Sequence, residues 1–145
     1  MTGKVLELFV TKGDTNKTRL TVDKIFLDKF GIKDDKFYNK DLMRSVLLTS
    51  LESYKLAEEH AINLSKGSLG ENILMDINPY HLKSGDRIKI GKVLLEITQN
   101  CTLCKGLSNI NTHLPKLLKN DRGIFAKVIN KECEIHIGDE VKILD

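Results

Sequence analysis

Apolar and polar residues alternate in short runs along most of the chain, and one stretch keeps a helical period. Val5 to Val10 reads as a strand that ends in the turn-prone Lys12-Gly13-Asp14. Leu20 to Leu27 is a second extended segment, with Leu20, Val22 and Ile25 expected to face inward. Gly31 to Asp35 reads as a loop, and Ser45 to Thr49 returns to strand-like residues. A helix is then predicted near residues 50–65. Thr49 and Glu52 have capping-box spacing, Leu51, Tyr54, Ala57, Ala61 and Leu64 recur at threes and fours, and Gly67 suits a left-handed stop.

Beyond residue 68 the pattern is β-rich. Arg87 to Ile90, Gly91-Lys92 and Val93 to Thr98 predict a hairpin in which Ile88 and Ile90 point one way and Val93, Leu95 and Ile97 line one face of the returning strand. Thr112 to Leu118 predicts a short helix with Thr112 as its N-cap. Gly123 to Ile129, Glu134 to Ile137 and Glu140 to Leu144 predict three more strands. Gly85-Asp86 and Gly138-Asp139 each read as a tight turn feeding an amphipathic strand. Many short strands with one good helix predict a mainly β fold, a small barrel or sandwich, with residues 1–145 forming a single domain.

Composition narrows the function classes. The chain has 145 residues, 41% hydrophobic and 30% charged, which is enough for one core without disulfide or metal staples. A net charge of +3 and 6% aromatics without tryptophan argue against nucleic acid, yet suit a small anionic ligand. No apolar run approaches the roughly 18 residues needed to span a bilayer. The opening Met1-Thr2-Gly3-Lys4-Val5 lacks signal-peptide architecture, and the cysteines number three. These features predict a cytoplasmic chain with reduced thiols and no membrane partner.

The densest chemistry is Gln99-Asn100-Cys101-Thr102-Leu103-Cys104-Lys105-Gly106. Four readings suit two thiols three residues apart. They are half of a zinc site, completed by Cys133 and one of His60, His81, His113 or His136, although none of these has finger spacing. They are a thioredoxin-like redox pair, although a hairpin precedes them and Gly106 argues against a helix directly after. They are small half-buried residues without chemistry. Or one is a reactive thiolate with Lys105 beside it. Cys133, between Glu132 and Glu134, reads as inert, and Tyr54 reads as core.

Around this loop, a set of motifs occurs in order. Gly31-Ile32-Lys33-Asp34-Asp35 and Arg44-Ser45-Val46-Leu47-Leu48 come first, then Gly67-Ser68-Leu69-Gly70-Glu71-Asn72-Ile73 and Gly85-Asp86-Arg87-Ile88. Gln99 follows, five residues before Cys104, then Arg122-Gly123-Ile124-Phe125-Ala126 and Gly138-Asp139. This set resembles the MOSC domain, the module named after the C-terminal part of molybdenum-cofactor sulfurase, over about residues 1–144. The resemblance implies a β-barrel with a few peripheral helices and a site for the molybdenum cofactor (molybdopterin), or for sulfur transfer, built on one cysteine. Cys104 matches that cysteine and would be both the catalytic thiolate and the metal ligand. Cys101 stands where the family commonly has arginine, Leu103 where proline is usual, and Phe37 where relatives often carry histidine.

A soft thiolate suits a soft oxo-metal and can also carry a persulfide. Within the matched motifs, Arg44, Lys105 and Arg122 are candidates to hold the cofactor's phosphate, although each alone reads equally as surface charge. Asn72 is a candidate cofactor contact or a turn residue. Glu71 reads as organising its loop or orienting an arginine, Asp35 as loop structure or cofactor contact, and Asp86 and Asp139 as turn formers. Three functions are expected in descending order. The first is cofactor binding through Cys104, with reduction of N-hydroxylated compounds by an external electron donor. The second is a non-catalytic persulfide or cofactor carrier serving a partner enzyme as sulfur donor or acceptor. The third is a redox or zinc module using Cys101 and Cys104 together.

Overall fold

The computed structural model describes residues 1–12, 19–102, 105–130 and 132–144, with backbone only at 105 and 106. Its strands in chain order are β1 (Thr2–Thr11), β2 (Arg19–Val22), β3 (Lys24–Asp28), β4 (Gly31–Ile32), β5 (Val46–Ser50) and β6 (Ile73–Met75). They continue as β7 (Arg87–Ile90), β8 (Val93–Asn100), β9 (Ile124–Val128), β10 (Cys133–His136) and β11 (Glu140–Ile143). Three helices, α1 (Leu51–Glu59), α2 (Lys105–Ile110) and α3 (Leu114–Leu117), lie between them.

Seven strands close on themselves in the order β11-β7-β8-β9-β5-β6-β1, because β1 pairs back to β11. Closure removes the exposed edges that an open sheet would carry. The far end of the ten-residue β1 outlasts β11, and β2 takes over that edge through Leu8↔Val22 to Thr11↔Arg19. Inward positions are the ones that alternation selects. Val5, Leu8, Val46, Leu48, Ile88, Ile90, Val93, Leu95, Ile97, Ile124 and Ala126 all share one buried cluster. A second sheet, β10-β3-β4, adds Ile25, Leu27, Ile32 and Ile135 to that cluster.

One pair in the barrel is parallel, β5 with β6, and a parallel pair needs a crossover rather than a hairpin. Here α1 and the following loop make that crossover. Tyr54 and Ala57 pack with Phe9 and Leu74, which point outward from β1 and β6, and with Leu107, Leu114 and Leu118 from the other two helices. The outer face of the barrel is thus covered on one side, and the return leg at residues 67–72 is held against it.

Several sequence expectations change in detail. The expected 50–65 helix is shorter, ending at Glu59 with Ala61 in the left-handed region at φ 58°. Its N-cap is Ser50, whose hydroxyl accepts from the Glu52 N–H at 3.2 Å, and not Thr49, which stays in β5. The Leu20–Leu27 segment is two strands in two sheets, and Leu20 is exposed. The loop at Gly31 contains the two-residue β4. The third helix begins at Leu114, with His113 rather than Thr112 at its cap position and no side-chain cap bond. A helix does follow the cysteine motif directly, because α2 spans Gly106. Residues 13 and 14 of the first expected turn lie outside the described residues. Among the described residues no helix is long and apolar enough to cross a membrane.

The crossover is also stitched by hydroxyls. Tyr80 Oη accepts from the Ser50 N–H at 2.9 Å and lies 2.5 Å from Ser53 Oγ, which donates to the Asp121 carbonyl. Burial pushes the Tyr80 phenol up to about 12, against the lowering pull of its bonds to Ser53 and Ser50. A raised folded-state pKa means the protonated phenol stabilises fully below its unfolded value near 10, and this stability is lost as pH climbs from there towards 12. Urea titrations from pH 8 upward should show wild type losing on the order of 2 kcal/mol more than Tyr80→Phe across that window. Parallel pH profiles for the two proteins would contradict this.

Candidate functional site: a cation-lined cavity on the barrel wall

Alternation sends Leu47 and Phe125 away from the barrel core, and they are direct cross-strand partners on β5 and β9. With Cys101, which is buried and whose N–H donates to the Gly123 carbonyl at 3.0 Å, they form a small apolar cluster. That cluster lies in a cavity of about 430 Å³, lined also by Thr11, Arg19, Lys36, Phe37 and Lys40. Asp41, Arg44, Leu69, Gly70, Asn72 and Arg122 complete the lining. This volume falls within the ~300–1,000 Å³ of small-molecule sites.

Among the described residues five cationic side chains and one carboxylate line this cavity, and four of the cations have a structural reason for their position. The carbonyls of the 69–72 loop anchor two of them. Arg122 Nη1 donates to the Leu69 carbonyl at 2.8 Å and Arg19 Nη1 to the Glu71 carbonyl at 2.7 Å. Gly70 permits this loop because its φ is +81°, a region other residues rarely adopt. Aromatic rings seat three cations: Arg44 lies 5.9 Å from the Phe125 centroid, Arg19 5.8 Å from Phe9, and Lys36 4.7 Å from Phe37. Arg44 is the last residue of a 3-10 turn at Leu42–Arg44, capped by Asp41 Oδ1 accepting from the Met43 N–H at 3.0 Å. Burial lowers the Arg19 pKa, with Glu71, Asp35 and Tyr54 pulling the other way. A guanidinium stripped of water in this way stays charged and gains from an incoming anion.

Behind the cations lies a buried polar scaffold. Asn72 Oδ1 accepts from the Leu47 N–H at 3.0 Å, and its Nδ2 donates to the Phe9 carbonyl at 3.3 Å and Asp35 Oδ1 at 3.4 Å. Asp35 also accepts from the Thr11 N–H at 2.8 Å and the Phe37 N–H at 3.2 Å. Asp35 therefore holds its loop, and Asn72 joins that loop to β1 and β5. Glu71 is wholly buried. Its Oε2 accepts from Thr49 Oγ1 at 2.8 Å and from the Tyr54 hydroxyl, while Oε1 has no hydrogen-bond partner among the described residues. Burial, then Glu71, push the Tyr54 phenol far above its usual range, and it packs in the core.

Of the residues singled out from sequence, Arg44, Asn72 and Arg122 meet in this cavity. Cys104 and the Lys105 side chain lie outside the described residues, and Cys101, three positions before Cys104, is at the cavity wall. Asp86 and Asp139 serve turns, accepting from the Lys83 and His136 N–H groups at 2.8 Å each. Cys133 is half-buried at the start of β10, away from this cavity. Among the described residues no three metal-ligating side chains converge.

Sequence reasoning missed Arg19, Lys36 and Lys40. Arg19 arrives only because it pairs with Thr11 across β1 and β2. Lys36, Lys40 and Arg44 recur every four residues, but the mixed charges around Lys33-Asp34-Asp35-Lys36 hide that spacing.

The MOSC domain profile matches residues 34–142, most of the chain. The fold is similar to the crystal structure of the YuaD protein from Bacillus subtilis, with 18% identity, 97% of this chain and 94% of that one covered, and TM-score 0.82. It is also similar to YiiM from Geobacillus stearothermophilus, with 16% identity, 99% and 75% coverage, and TM-score 0.74. YiiM from Escherichia coli gives 19% identity, 100% and 70% coverage, and TM-score 0.68. At such identities these structures share the fold. No curated protein matches the chain by sequence.

Proposed function

The chain belongs to the MOSC domain family, and from that premise we propose that it binds the molybdenum cofactor in the cation-lined cavity, with the Cys104 thiolate as metal ligand. The observation that carries this reading is the cavity's make-up: five cations around an apolar floor of Leu47, Phe125 and Leu69. A pterin phosphate needs both surfaces at once. Its phosphate finds charge-assisted donors in Arg44, Arg19, Arg122, Lys36 and Lys40, and its flat ring finds the apolar floor. The residues present therefore fit the group.

When bound, the cofactor supplies two-electron redox and oxygen-transfer chemistry at a soft metal. The chain's own residues supply binding and orientation. Arg44 is held over Phe125 and Arg122 against the Leu69 carbonyl, so neither guanidinium has to be ordered when the anion arrives. Asp41 lines the cavity, but its Oδ1 is engaged with the Met43 N–H, and Asp35 is bonded to the backbone. In the reaction proposed here the protons come from solvent. The reaction proposed is reductive cleavage of the N–O bond of an N-hydroxylated compound. It takes up a pair of electrons and a pair of protons, and it releases the parent N–H compound and one molecule of water. An external carrier brings the electrons.

Protein purified from a cofactor-producing host should contain molybdenum and organic phosphate in equal amounts by elemental analysis. Arg44→Ala and Arg122→Ala should each weaken loading about tenfold or more, since a charge-assisted bond contributes about 1.5–3 kcal/mol. A metal-free wild type would overturn the reading. If such a protein instead gained one sulfur on its Cys104 peptide after treatment with a cysteine desulfurase, the same thiol would be acting as a persulfide carrier.

A further inference from the structure

We propose that Thr98, at a β-bulge in β8, is a positioning residue that sets the cysteine loop in register with the Arg44 turn, so that thiolate and guanidinium can serve one ligand. The inference deepens the cofactor reading and rests on it, because only a ligand carrying both a metal and a phosphate needs the two groups fixed relative to each other.

The first observation is a shift in strand register. Leu95 pairs with Val128 and Ile97 with Ala126, and all four belong to the barrel core. The next pairing is Gln99 with Phe125, so Thr98 is an extra residue on β8 with no opposite number on β9. One extra residue inverts the face of everything that follows it. Without the bulge, Gln99 and Cys101 would continue the inward series of Leu95 and Ile97. With it, Gln99 falls opposite the outward-facing Phe125, and Cys101 packs on Phe125 and Leu47 in the cavity wall. The Cys101 N–H bond to the Gly123 carbonyl carries the shifted register beyond the end of β8. The bulge thus brings the start of the cysteine loop to the cavity side of the wall, three residues before Cys104.

The second observation is what the Thr98 side chain does there. Thr98 is buried, and a buried hydroxyl needs a partner. It donates to the carbonyl of Met43, inside the 3-10 turn Leu42–Arg44. Asp41 caps that turn, and Ser45 Oγ lies 3.0 Å from the Leu42 carbonyl and 3.3 Å from the Ala126 carbonyl of β9. Thr98 adds the tie to β8. Arg44 is the residue after Met43, and its guanidinium lies over the Phe125 ring. The two halves of the site therefore meet at one residue. The Thr98 backbone makes the shift that turns Cys101 towards Phe125, and its hydroxyl holds the turn that lays Arg44 over the same ring. A cation fixed in this way loses little freedom when an anion arrives, and the affinity gains accordingly.

The test is a double-mutant cycle on metal-free protein, with inorganic phosphate as the probe and titration calorimetry as the readout. Thr98→Val keeps a branched side chain and removes the hydroxyl. It should weaken phosphate binding about fivefold, and Arg44→Ala about tenfold. The double variant should bind as Arg44→Ala does, because Thr98 acts through Arg44, whereas a general loosening of the fold would add the two losses. Thr98→Ser restores the hydroxyl and should bind within about twofold of wild type. Thr98→Ala carries the same cycle if the valine variant does not fold. In protein from a cofactor-producing host, molybdenum content should fall about fivefold in Thr98→Val and recover in Thr98→Ser. Additive losses, undiminished phosphate binding by Thr98→Val, or a wild type that binds no phosphate would each overturn the proposal. A wild type that loads no molybdenum yet shows the non-additive cycle would sink the cofactor reading and keep Thr98 as the residue that positions Arg44 for an anion.

Discussion

Cys104→Ser is expected to purify without molybdenum, whereas Cys101→Ser retains it. The two thiols are three residues apart in sequence, yet they are predicted to fail in different ways. A thiolate is a soft, readily ionised ligand, while a serine hydroxyl is hard and stays protonated near neutral pH, so the substitution at 104 removes the metal bond itself. Cys101 is 3% exposed and packs with Leu47 and Phe125. Serine there places a hydroxyl against two apolar side chains and should cost about 1–3 kcal/mol of stability with the metal still loaded. Elemental analysis paired with chemical unfolding separates the two effects. If both variants lose metal equally, or both lose a zinc ion to chelator, the cysteines act as a pair and the single-thiolate reading fails.

Asn72→Leu should unfold at lower denaturant by about 2–4 kcal/mol, the largest stability loss expected from one polar side chain here. The substitution leaves the Leu47 N–H, the Phe9 carbonyl and Asp35 Oδ1 each short of a partner, all in buried surroundings. It also loosens the Leu69–Asn72 loop whose carbonyls anchor Arg19 and Arg122, so the affinity of the apo-protein for inorganic phosphate should fall with stability. Asn72→Asp makes the cause visible. It keeps an acceptor for Leu47 but sets a second carboxylate 3.4 Å from Asp35 Oδ1. Like charges at that separation disfavour ionisation of both, so this variant should be more stable relative to wild type at pH 5 than at pH 7. A pH-independent difference between Asn72→Asp and wild type would rule out that repulsion.

The Asn72 case illustrates how local sequence and tertiary context divide the information. As a polar residue after Gly70-Glu71, it reads from sequence as either a cofactor contact or a turn former. The structure gives it a third role, a clip whose bonds run to residues 25, 63 and 37 positions away. Glu71 divides in the same way. Its backbone carbonyl does hold an arginine, but that arginine is Arg19, distant in sequence and brought over by the β1–β2 pairing. Thr49 and Glu52 have the spacing of a capping box, yet Thr49 is held in the barrel by its pairing with Leu74 and its bond to Glu71, and Ser50 caps instead.

Alternation along the chain was enough to determine the mainly β class and the apolar faces of β7 and β8, because a strand's two-residue period is written residue by residue. The ordered motifs likewise identified the family and drew attention to Arg44 and Arg122. The strand pattern left barrel and sandwich both open and the family resemblance implied the barrel, whereas the parallel β5–β6 pair and the gathering of Arg19, Lys36 and Lys40 into one cavity were decided only in three dimensions. These features depend on which distant strands become neighbours, and that choice is made by burial of the whole core at once, which no short window of sequence contains.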